Sequence, residues 1–187
     1  MVYPMITGHT GNDGTSANSI ESVEKCISIG ADAFEVDIRR DANSVLVLSH
    51  DSGDQFHYDQ CVRFAEVLEI LARHPNMRIN CDLKEDGLAA EVAAMAGDFG
   101  IGPGQLIMTG TITPSFLERH PGIVHKADIY LNIEYLLEDF YFKGIIRTDR
   151  QIDYNTFHDD PWEYIKEIIP SIDPYMGMIS EACRKYG

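Results

Sequence analysis

Positive charge is scarce in this sequence. Its 187 residues carry 15 Lys and Arg against 30 Asp and Glu, a formal net charge of −15. Such a surface repels nucleic-acid phosphate and anionic lipid head groups, which argues against a general role in binding either. Long apolar runs are missing too: no segment approaches the roughly 18 residues that a membrane-spanning helix needs. The opening Met-Val-Tyr-Pro-Met-Ile-Thr-Gly-His lacks a basic n-region and turns polar too early for a secretory signal, so a cytoplasmic setting is expected. Cysteines are few. Cys26, Cys61, Cys81 and Cys183 lie far apart with no Cys-x-x-Cys pair, and they read as reduced thiols rather than a disulfide framework.

What remains is an ordinary globular composition, 44% hydrophobic and 24% charged. The length suggests one domain over 1–187, able to bury about 70% of its unfolded surface without disulfide or metal staples. No repeat or low-complexity tract interrupts it. Short β-type runs fall at Tyr3–Thr7, Ala33–Ile38, Ser44–Ser49, Met77–Leu83, Gln105–Thr109 and Ala127–Ile133. Helical patterns lie between most of them: Asn18–Ile29 with Gly30 as a C-cap, Arg63–Ala72, Gly87–Phe99, and Pro114–Arg119 behind a Thr113 N-cap. Glu134–Arg150 fits a helix at first, while Gly144–Arg147 reads equally as a short strand. Asp160-Pro161 starts another helix, Ser171–Pro174 is a further strand candidate, and Met176–Tyr186 reads as a final helix. This alternation predicts βαβ units and a parallel sheet.

Ionisable residues fall at unusual places in these strands. His9 follows the first apolar run. Glu35 and Asp37 interrupt Ala-Phe-Glu-Val-Asp-Ile two residues apart, a spacing that points both carboxylates to one face of a strand. His50-Asp51 ends the third run, and Asp82 and Lys84 repeat the two-residue spacing in the fourth. On a single strand, a solvent-facing edge would explain this. Four strands in series argue otherwise, because parallel strands covered by helices are normally apolar on both faces, whereas α/β barrels gather charged groups near strand ends. Three clustered carboxylates repel by several kcal/mol in a low-dielectric site unless a cation intervenes. Such an oxygen-donor set suits Mg²⁺ or Ca²⁺, and histidines beside it can exchange protons near neutral pH.

Taken together, His9-Thr10-Gly11, Ala17-Asn18-Ser19, Gly30-Ala31-Asp32-Ala33-Phe34-Glu35-Val36-Asp37 and His50-Asp51 resemble the glycerophosphodiester phosphodiesterase family. Leu106–Thr109 and Phe116–Pro121 resemble its fourth strand and following helix. The resemblance implies a (β/α)₈ TIM-type barrel and metal-dependent cleavage of a phosphodiester, typically releasing glycerol 3-phosphate and an alcohol. Carried over by position, Glu35, Asp37 and Asp82 would be metal ligands, His9 and His50 the acid/base pair, with His50 favoured as base, and Lys84 the contact to substrate phosphate. The partner is then a small-molecule phosphodiester.

The sequence also departs from the family pattern. Thr10 stands where the family has Arg, removing a bidentate phosphate contact, and Ala17 replaces its Glu. Asp82 replaces a Glu ligand with a shorter carboxylate. Asp51–Arg78 is too short for the small inserted cap subdomain of many family members. Counting units gives about six of eight strands, where a full barrel usually needs about 250 residues. A longer natural chain or a second copy in a homo-oligomer would cover the parallel edges left open. A catalytically impaired relative that binds metal and a phosphorylated ligand without turnover is the competing expectation. Elsewhere, His57, His74, His120, His125 and His158 read as surface residues, and Glu134, Glu138 and Asp139 as a solvated helix face.

Overall fold

The structure, a computed structural model, describes residues 4–52, 60–145 and 175–186. Six strands form one sheet: β1 (Thr7–Gly8), β2 (Ala33–Arg40), β3 (Leu46–Leu48), β4 (Arg78–Leu83), β5 (Leu106–Gly110) and β6 (Asp128–Ile129). Their order is β1-β2-β4-β5-β6, every pair along this path being parallel. Helices α1 (Ile20–Ser28), α2 (Phe64–Leu71), α3 (Ala89–Asp98) and α4 (Pro114–Arg119) alternate with the strands, followed by α5 (Ile133–Phe142) and α6 (Met176–Tyr186). The alternating α/β class expected from the sequence is therefore observed.

Local chemistry sets the helix ends. Ser19 caps α1, its hydroxyl accepting from the Ser22 N–H at 3.1 Å, and Gly30 leaves it at φ 73°, a conformation that costs most residues strain. Thr113 caps α4 in the same way through the Phe116 N–H at 3.2 Å, with Pro114 in the first turn where its missing N–H costs nothing. The strands alternate cleanly. Phe34, Val36 and Ile38 of β2 and Ile79, Cys81 and Leu83 of β4 are at most 1% exposed and pack in the main core with Val23, Phe64, Leu68, Val92 and Leu117. Each large apolar side chain buried there contributes about 1.5–3 kcal/mol. Glu35, Asp37, Asn80 and Asp82 take the intervening positions and face the other way.

Two expectations need correction. The run around Ser44–Ser49 is not another parallel strand. β3 folds back antiparallel on β2, pairing Ile38 with Leu48 and Arg40 with Leu46, because only a short turn through Asp41–Val45 separates the two. Residues 127–133 are mostly not a strand either: β6 stops at Ile129, and α5 begins at Ile133 after Asn132. The Asp160-Pro161 helix start, the Ser171–Pro174 strand, the second half of Gly144–Arg147, and His57 and His158 lie outside the described residues. Cys26, Cys81 and Cys183 are free thiols, as expected. Among the described residues no helix is long and apolar enough to cross a membrane.

Candidate metal centre

Parallel pairing between β2 and β4 sets Glu35 beside Asn80 and Asp37 beside Asp82. Three of these four side chains are carboxylates on one face of the sheet. One oxygen from each of Glu35, Asp37 and Asp82 lies within 4.8 Å of the others, the single such grouping of His, Cys, Asp or Glu side chains among the described residues. Glu35 is 7% exposed and Asp37 2%, so little water screens them.

The surrounding contacts hold each carboxylate differently. Glu35 accepts the Thr10 N–H at 3.0 Å and faces His9 Nε2 at 3.8 Å. Its pKa is raised, first by burial and further by the nearby charges of Asp37 and Asp82, against the lowering pull of the Thr10 N–H and His9. Asp37 forms a reciprocal pair with Asn18: the Asn18 amide donates to Asp37 Oδ2 at 2.8 Å, and the Asp37 N–H donates to Asn18 Oδ1 at 3.0 Å. Lys84 Nζ bridges Asp37 Oδ1 at 3.0 Å and Asp82 Oδ2 at 2.7 Å. Burial acts to lower the Lys84 pKa, yet the two carboxylates outweigh it and hold the ammonium above its usual value. Asp82 Oδ1 is buried with no hydrogen-bond partner among the described residues.

Three carboxylates against one ammonium leave two negative charges when all are ionised. An orphaned buried carboxylate oxygen costs about 1–3 kcal/mol or more. Hard oxygen donors, a two-unit charge deficit and the free Asp82 Oδ1 all fit a divalent cation such as Mg²⁺ or Ca²⁺.

The histidines are placed less uniformly. The His9 ring is 83% exposed and hydrogen-bonded through Nδ1 to the Thr10 carbonyl at 3.0 Å. A carbonyl only accepts, so Nδ1 carries the proton and Nε2, the nitrogen facing Glu35, is the exchangeable one. β3 returns the chain to the level of Asp37, where the Ser49 N–H donates to the Asp37 carbonyl at 3.1 Å. His50 follows, but its ring is bonded through Nδ1 to Asp51 Oδ1 at 2.9 Å and makes no hydrogen bond or ion pair with the carboxylate cluster. His9 thus joins the cluster, whereas the His50 ring is engaged by its neighbour Asp51. His120 and His125 are exposed, as expected, and His74 is half-buried.

Sequence reading singled out neither Asn18 nor Gly110 as site residues. Asn18 sits in the left-handed region at φ 52°, with its N–H donating to Thr10 Oγ1 at 2.5 Å. Gly110 has φ 84°, and a Cβ there would meet Asp82 Oδ1 at 2.5 Å and clash with the Leu83 carbonyl. Positive φ and close approach both require glycine at that position. The solvated face expected for Glu134, Glu138 and Asp139 is wrong for two of the three: Glu138 is 8% and Asp139 7% exposed, because α5 is buried on successive residues Leu136–Phe140.

No protein-family profile matches this chain, and no curated protein is similar to it in sequence. Solved structures are similar in fold. A glycerophosphodiester phosphodiesterase from Agrobacterium tumefaciens superimposes with a TM-score of 0.53 at 18% identity, over 69% of this chain and 76% of that one. The likeness is one of fold. A putative glycerophosphoryl diester phosphodiesterase from Silicibacter pomeroyi gives 0.53 at 15% identity, over 72% of this chain and 67% of that one. A putative glycerophosphodiester phosphodiesterase from Galdieria sulphuraria gives 0.52 at 15%, over 84% and 91%. The α/β sheet described above is therefore the scaffold of these barrel structures.

Proposed function

We propose that this protein is a divalent-metal-dependent phosphodiesterase of the glycerophosphodiester class, releasing glycerol 3-phosphate and an alcohol. The observation that carries the reading is the triad of buried Glu35 and Asp37 with half-buried Asp82, whose Oδ1 has no partner among the described residues, on a fold similar to that of glycerophosphodiester phosphodiesterase structures. These three residues would hold Mg²⁺ or Ca²⁺. When bound, the cation supplies charge neutralisation at non-bridging phosphate oxygens.

The rest is the work of the chain's own groups. Lys84, half-buried between Asp37 and Asp82, offers its ammonium to the phosphate and offsets part of the acidic field. His50 accepts the proton of the attacking hydroxyl at Nε2, since Asp51 holds Nδ1–H and stabilises the imidazolium that forms. Where that hydroxyl is the substrate's own rather than water's, water then opens the cyclic phosphate to glycerol 3-phosphate. His9, protonated at Nε2 beside Glu35, returns a proton to the leaving alkoxide. Thr10 supplies backbone and hydroxyl contacts to Glu35 and Asn18 where an arginine would have bound phosphate directly. The cytoplasmic setting and the small-molecule substrate belong to this same reading.

Hydrolysis of glycerophosphoethanolamine, whose alkoxide leaving group needs a proton, with Mg²⁺, Ca²⁺ or chelator tests the proposal. Metal-dependent turnover that falls at least a hundredfold in His9→Ala supports it. A second reading, metal and phosphate binding without turnover, rests on the lack of any hydrogen bond or ion pair between His50 and the cluster. It is favoured if cation binding persists in calorimetry while no diester is cleaved.

A further inference from the structure

A cavity of about 360 Å³ opens between the loop after β4, the start of α4 and one face of α5. Among the described residues its wall includes Asp86, Phe116, Arg119, Tyr135, Glu138 and Asp139. Glu138 is 92% buried by its 8% exposure, lines this space, and has no hydrogen bond or ion pair among the described residues. Asp139 differs in having a counter-charge, Lys143 Nζ at 3.1 Å from its Oδ2, although that buried oxygen accepts no hydrogen bond among the described residues. Glu138 therefore faces the cavity with a carboxyl group that the protein leaves unanswered. Burial, with Asp86 and Asp139 adding repulsion, pushes its pKa up to about 7. Such a group gains most from a cation that enters and donates hydrogen bonds.

We propose that this cavity binds a small organic ammonium group, with Glu138 as its counter-ion, Asp86 adding negative potential, and the rings of Phe116 and Tyr135 offering apolar and cation–π contact. Three features favour an organic cation over the alternatives. The carboxylates here do not converge as a metal-binding set, since Glu35, Asp37 and Asp82 form the single such group among the described residues. An anion would meet Asp86 and Glu138 with Arg119 alone in its favour, and Arg119 lies on the exposed end of α4. Aromatic walls beside a carboxylate suit an alkylammonium, whose carbon atoms and charge both find partners. The inference does not rest on the phosphodiesterase reading, because its residues are not those of the carboxylate triad.

Titration of the full-length protein with ethanolammonium chloride, followed by calorimetry at pH 8 with Mg²⁺ present, tests this, with ethylene glycol as the neutral probe of similar size. Saturable binding of the ammonium and none of the diol is expected. Glu138→Gln should weaken it at least tenfold, whereas Arg119→Ala should tighten it severalfold, a gain that a damaged fold does not produce. Asp82→Asn should remove Mg²⁺ binding while saturable ammonium binding persists. Equal affinity for the diol, or unchanged affinity in Glu138→Gln, overturns the proposal. Ammonium binding without diester turnover would keep this site and sink the phosphodiesterase reading, while turnover without ammonium binding would do the reverse.

Discussion

Asn18 shows how much of the centre is built from single hydrogen bonds. Its amide satisfies both the Asp37 carboxylate and the Asp37 N–H, while Thr10 fixes its backbone. Asn18→Leu would leave two buried polar groups of Asp37 unanswered. We expect a loss of about 1–3 kcal/mol in urea unfolding, and a drop in cation affinity of about 10–100-fold by calorimetry, the usual effect of removing a group that orients a ligand. Unchanged Mg²⁺ affinity would refute this positioning role. Gly110→Ala acts from the other side by forcing a methyl toward Asp82 Oδ1 and the Leu83 backbone. We expect a further 1–3 kcal/mol or so of destabilisation, with Mg²⁺ binding impaired. Ionisable residues at strand ends were legible from the sequence because Glu35 and Asp37 break an apolar run. Asn18 and Gly110 were not, since nothing local marks a polar or small residue whose purpose is a contact 19 or 28 positions away.

At the scale of elements, β2 and β4 make the site and α5 adds a buried acid. The two-residue period along each strand sends apolar side chains to the helices and polar ones to the opposite face, so the facing of Glu35, Asp37 and Asp82 followed from pattern alone. Helix α5 broke the pattern. Glu138 and Asp139 looked like a solvated face, yet the helix is covered on that side and Glu138 enters a cavity. This has a consequence for stability. The Glu138 carboxyl, at an ordinary 4.5 in the unfolded chain, rises to about 7 on folding. Below the lower value it is protonated in both states. As pH climbs toward 7 the unfolded chain releases the proton first, so this group costs stability that grows through that window and levels off above it. Glu138→Gln removes the cost. Denaturation at a series of pH values should show the variant gaining on the parent between about pH 4.5 and 7, by no more than about 3 kcal/mol. A constant difference across that range would contradict the burial of Glu138.

For the whole molecule, binding and folding are linked through the triad. A divalent cation that binds only the folded chain stabilises it by about 2.7 kcal/mol at a hundredfold excess over the dissociation constant. Adding Mg²⁺ should therefore raise Tm, EDTA should reverse the rise, and Asp82→Asn should abolish it, whereas Glu134→Gln should keep it. An equal rise in parent and Asp82→Asn would place the cation elsewhere. Sequence alone determined the acidic balance, the alternation of strands and helices, and which strand positions carry charge. Each of these is written in nearest-neighbour chemistry and a period of two or 3.6 residues. Tertiary structure decided that Asp37 and Asp82 stand in register, that β3 turns back along β2, that Asn18 closes onto Asp37, and that Glu138 is enclosed. Those outcomes depend on how separate segments dock, and the free energy that selects one docking is shared among the many side chains of the core rather than held in any local pattern.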